Sequence, residues 1–96
     1  MRKNRSLERS LQMFGNNLRT ARIRRRITQK DAATRAGMDV KTLRRIERGD
    51  PHVSIGKVAF LIFFLGLGTP LKTLAEPDAY LLDIRETPLP KRARRF

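Results

Sequence analysis

The feature that most limits this chain is Gly37, which sits between two short segments that each carry the signals of a helix. Glycine takes the left-handed conformation that stops a helix at no steric cost. On its near side, Thr28 stands three residues before Asp31. Its hydroxyl can cap a helix start while the acid lies at the positive end of the dipole. Ala32, Ala33 and Ala36 supply small apolar contacts before the glycine. On the far side Asp39 can cap a second helix, Val40, Leu43 and Ile46 recur on one face, and Gly49 with Pro51 closes it. The pattern therefore predicts two short helices joined by a tight turn over 28–49. The polar positions Lys41, Thr42, Arg44, Arg45 and Arg48 are left on the other sides of the second helix.

Two short helices with a glycine turn match the helix-turn-helix description, in which the second helix enters the DNA major groove. The residues carry a closer likeness. TQxxxAxxAG followed by xxxTLxRIExG resembles the phage-repressor, or Xre, family. The resemblance implies an all-α, five-helix, lambda-repressor-like domain. By position it makes Gln29 a phosphate anchor and pairs Glu47 structurally with Arg22, seven residues before that glutamine. The sequence departs from the family at Ala32, where leucine is usual, and at Arg26, where glycine is common.

Charge agrees with a polyanionic partner. The 96 residues hold 22 Lys and Arg against 9 acids, for a net charge of +13. Residues 1–48 carry 15 basic and 4 acidic residues, 49–90 carry 3 and 5, and 91–96 carry 4 basic and none acidic. The excess surrounds the two-helix motif and the chain end, which favours attraction to phosphates and would equally suit an acidic protein. A chain of this length makes one small domain with no room for a large enclosed active site. It has no cysteine, which rules out disulfides and thiolate zinc sites. Neither a paired-carboxylate pattern nor a nucleophile–base spacing occurs, so an enzyme is not expected, nor is any metal or cofactor. The longest apolar run, Val58 to Leu67, is about half of the ~20 residues a bilayer span requires. A cytoplasmic protein is expected.

Three regions follow: a basic arm over 1–6, a DNA-binding and dimerisation domain over 7–76, and an extended tail over 77–96, basic at its end. Leu7, Leu11, Phe14, Leu18 and Ala21 follow helical spacing and predict a first helix with one buried stripe, weakened in the middle by Gly15, Asn16 and Asn17, which leaves open a start nearer Phe14 with the earlier turns less firmly held. Arg19, Arg22, Arg24, Arg25 and Arg26 crowd its end, some of them solvated and some available to phosphate. Asp50-Pro51-His52 reads as a loop, and the lone His52 has no neighbouring pattern that would make it a catalyst. Ser54 can cap a fourth helix, Ile55 to Leu65, that leaves almost no polar face. A helix apolar all round must be covered all round. Phe60, Phe63, Phe64 and Leu67 are therefore interface candidates, facing a second copy, another protein or the C-terminal segment. Thr69 and Pro70 predict a short fifth helix. Tyr80 to Ile84 reads either as a helical turn or as a short strand, and Thr87-Pro88-Leu89-Pro90 as extended chain.

The stretch ERGDPxVSIGxVAxLxxxLGL, together with the ending LPKRxRR, resembles HipB-type antitoxins of toxin–antitoxin operons. That resemblance implies a homodimer that represses its own operon and binds a HipA-like kinase toxin. In such a reading Lys41 and Arg45 reach guanine, Val40 meets a thymine methyl, and Arg44 contacts either a base or a phosphate. Asp39 either caps its helix or meets a cytosine amine. Thr28, Gln29 and Arg48 hold phosphates on either side. The partner DNA would be an inverted repeat. The alternatives are a phage or chromosomal regulator without a toxin partner, and a protein-interaction component whose DNA binding is secondary.

Overall fold

A computed structural model describes residues 3–76, which form four α-helices and one 3-10 turn. No strand occurs among the described residues. The helices are α1 (Arg5–Arg24), α2 (Gln29–Arg35), α3 (Val40–Glu47) and α4 (Ile55–Phe64), and the turn spans Pro70–Thr73. The expected tail over 77–96, with its basic end and the segment Tyr80 to Ile84, lies outside the described residues.

Each α-helix starts on a side-chain cap. The acceptors are Asn4 for α1, Thr28 for α2, Asp39 for α3 and Ser54 for α4, at 3.0, 3.1, 2.7 and 3.4 Å from the backbone N–H groups of Leu7, Asp31, Thr42 and Lys57. Such caps satisfy donors that the first turn leaves unpaired. Asn4 explains why α1 begins two residues before the apolar stripe does. At the other end of α2, Gly37 adopts a φ of +73° and the Met38 N–H closes back onto the Ala33 carbonyl at 2.9 Å. This is the Schellman arrangement.

Leu43 lies at the centre of the core, surrounded by Leu18 of α1, Ala32, Ala33 and Ala36 around α2, Met38 in the turn, Ile46 of α3 and Leu61, Ile62 and Leu65 around α4. Burying a leucine is worth about 1.5–3 kcal/mol, so this cluster supplies most of the drive to fold. The alanines let α2 lie close to α3, which is what sets the angle of the two-helix unit.

Three expectations are corrected. The predicted stripe of α1 is buried only in its second half: Leu7 and Phe14 are exposed, while Gly15, Leu18 and Arg22 face inward. Gly15 is no weak point. A Cβ built there would stand 2.6 Å from the Ile46 carbonyl oxygen and 2.7 Å from that of Glu47. Gly49 returns the contact, since a Cβ there would stand 2.7 Å from Gln12 Cα. The backbone of α1 thus rides directly over the end of α3, a closeness only glycine permits. Finally, the fifth helix is a four-residue 3-10 turn. Thr69 gives it no side-chain cap, and Leu71 and Leu74 stay exposed, so little apolar burial rewards a longer helix.

Candidate nucleic-acid interface

At about 100° per residue, the buried side of α3 is made by Leu43, Ile46 and Glu47. Arg44, Arg48, Lys41 and Arg45 then fall within an arc of about 100° on the opposite side. Four cations consequently share the outward surface of one helix, with Lys41, Arg44 and Arg48 exposed and Arg45 half-buried. Val40 is half-buried and packs against the core, leaving only part of its side chain outward.

This surface is braced by a chain of hydrogen bonds. Arg22 and Glu47, 7% and 8% exposed, meet in a two-point pair, with Nε to Oε2 at 2.7 Å and a terminal nitrogen to Oε1 at 3.2 Å. The other terminal nitrogen of Arg22 donates to the Ile27 carbonyl at 2.8 Å, which ties down the α1–α2 turn. Planar fork pairing of this kind fixes orientation as well as distance. Gln29 extends the chain: its Nε2 donates to Glu47 Oε1 and its Oε1 accepts from Arg44 Nε, both at 3.2 Å. Only this amide orientation sets donor against carboxylate and acceptor against guanidinium. The start of α2, the end of α3 and the end of α1 are joined through buried or half-buried polar atoms. Among the described residues no buried side-chain polar atom lacks a partner.

Arg45 has a separate partner. Its Nε donates to Asp50 Oδ2 at 2.8 Å, while Asp50 Oδ1 accepts the His52 N–H at 2.8 Å. The Arg45 guanidinium, and after it the His52 amide, hold the Asp50 carboxyl below the usual carboxylate range. Asp39 is held low chiefly by its hydrogen bonds to Thr42. The capping bond occupies one lone pair of the Asp39 carboxylate and leaves its others open. Thr28 likewise spends a lone pair on its cap, while its hydroxyl proton stays available to an anion. Lys41 and Arg48 make no side-chain hydrogen bond or ion pair among the described residues.

A helix, a glycine turn and a second helix whose outer side is wholly cationic decide the class. A family profile for the helix-turn-helix domain matches residues 13–74, close to two thirds of the chain. The chain belongs to the helix-turn-helix domain family. No curated protein and no solved structure matches it at a significant level. Membership in a helix-turn-helix family carries a coarse function, DNA-binding regulation.

Around α4 of this helix-turn-helix protein, the expected interface residues divide. Phe60, Phe63 and Leu67 are 53%, 62% and 45% exposed, whereas Phe64 is half-buried and packs on the core. Among the described residues no helix is long and apolar enough to cross a membrane. The sequence reading missed the bonds of Gln29 to Glu47 and Arg44, and the Asp50 partner of Arg45. Only the identity of Asp50, just past the glycine that ends α3, could have hinted at the last of these.

Proposed function

We propose that the protein is a sequence-specific transcriptional repressor that binds an inverted-repeat operator as a homodimer. The observation that carries this reading is the outward side of α3, where Lys41, Arg44, Arg45 and Arg48 present four cations on a helix locked by the Arg22–Glu47–Gln29 network. Lys41 and Arg45 suit the guanine O6 and N7 acceptors, and the outer part of Val40 suits a thymine methyl. Arg44, held by Gln29, serves a base or a phosphate. Thr28, Gln29 through its second amide hydrogen, and Arg48 serve phosphates and set the register. The exposed Phe60, Phe63 and Leu67 support association with a second copy, and a dyad would put two α3 helices roughly 34 Å apart.

The finer assignment is a HipB-type antitoxin that autoregulates a toxin–antitoxin operon and binds a HipA-like kinase. It rests on the resemblance over ERGDPxVSIGxVAxLxxxLGL and LPKRxRR alone. Titration of fluorescent promoter duplexes tests the repressor reading. Lys41→Ala should lose about 1–3 kcal/mol against its preferred base, whereas Arg48→Ala should weaken all duplexes alike and flatten the salt slope by about one unit. A wild-type protein that ignores every palindrome upstream of its own gene refutes the reading. Co-purification of the protein with a kinase encoded beside it tests the antitoxin assignment.

A further inference from the structure

Of the four cations on the outer side of α3, Arg45 is the one tied to an acid. We propose that Asp50 is a positioning residue for sequence reading by Arg45, an inference that rests on the DNA-reading role of α3. Both oxygens of the Asp50 carboxylate are committed, one to Arg45 Nε and one to the His52 N–H, each at 2.8 Å. Its own N–H donates back to the Arg45 carbonyl at 3.0 Å. The acid is therefore fixed to the residue it orients through main chain and side chain together. A carboxylate on Nε leaves the two terminal nitrogens of the guanidinium free, and those are the pair that can meet guanine O6 and N7 end-on. A long arginine held in this way enters the groove with less rotamer freedom left to lose.

The acid also carries a cost. A negative charge beside the DNA-facing side of a +13 protein repels phosphate, and this lowers affinity for any duplex. A residue kept only to bind DNA tightly would not be an aspartate. Orientation of Arg45 supplies the compensating gain, and the two effects have opposite signs, which makes them separable.

Asp50→Asn in the full chain separates them. The Asn oxygen still accepts the His52 N–H, so the loop after α3 is kept, but its amide nitrogen cannot accept from Arg45. The probes are the duplex enriched by the wild-type protein from a random-sequence library and a scrambled duplex of equal length. For Asp50→Asn the expected result is a Tm lowered only slightly, as for loss of one exposed ion pair, an affinity for scrambled duplex raised about twofold, and a preference for the enriched duplex reduced roughly three- to tenfold. The lost preference should map to the same base pair that Arg45→Ala relaxes, and the double variant should discriminate no worse than Arg45→Ala alone. Equal gains on both duplexes would overturn the inference and leave Asp50 as a repulsive surface charge. Equal losses on both duplexes would overturn it in favour of a loop-holding role, and in both cases the repressor reading would stand. Failure of the wild-type protein to enrich any sequence would overturn that reading and this inference with it.

Discussion

The two sides of the molecule are held by different physics. On the α2–α3 side, directional polar bonds do the holding: Arg22, Glu47, Gln29 and Arg44 form a continuous chain, and glycines 15 and 49 let α1 clasp the end of α3 at backbone distance. On the α4 side there is apolar area and little else. Leu61, Ile62 and Leu65 face the core while Phe60, Phe63 and Ile55 stand in solvent. The difference teaches where geometry matters. A surface that must meet a DNA groove needs fixed angles, which hydrogen bonds supply. Non-directional apolar burial instead rewards area and tolerates adjustment.

The largest expected break in this contrast is Glu47→Ala. It leaves the Arg22 guanidinium buried with only the Ile27 carbonyl, and unfolding free energy should drop by about 3–5 kcal/mol in a urea titration. A wild-type midpoint in that variant would mean the polar chain is decorative. Next comes Gly15→Ala, which drives a methyl into the α3 carbonyls. A net loss of about 1–3 kcal/mol is expected even though alanine favours helix, and a gain in Tm would show that α1 can simply ride higher.

Arg26→Gly should act in the other direction. Arg26 ends α1 with a φ of 56° in the same Schellman form that Gly37 gives α2 at +73°. Glycine there should raise stability by about 1 kcal/mol, seen as a higher Tm.

Phe60→Ser with Phe63→Ser should change the stability of the isolated chain by no more than about 0.5 kcal/mol, yet shift sedimentation towards monomer. If folding collapses instead, the α4 side is core and the contrast fails. The smallest effect is with pH. The folded carboxyl groups of Asp39 and Asp50 are held below their ordinary value, so their contribution is complete above that value and is lost as pH falls through the lowered one. Circular dichroism should show a stability decline confined to the acid range, and Asp39→Asn, which keeps a capping oxygen, should blunt it.

Legibility in the sequence followed the range of the interactions. The caps at Thr28, Asp39 and Ser54 and the turn at Gly37 were readable because capping spans three residues and a helix end spans six. The Arg22 and Glu47 positions came from a family resemblance, since nothing local joins residues 25 apart. The apolar stripe of α1 misled because period alone gives a face without saying how much of its length finds a partner. Gly15 was misread because intrinsic propensity penalises it, while its value lies in a contact with α3.

By itself, then, the sequence determined where helices start, where they stop and that a cationic helix follows a glycine turn, because those are choices made within a few residues. Tertiary structure alone decided that Gln29 bridges Glu47 to Arg44 and that Phe60 and Phe63 are left uncovered. Both depend on how α1, α2 and α4 pack around Leu43 and Ile46 of α3, and that packing is set by volume and close approach, quantities summed over residues distant in the chain.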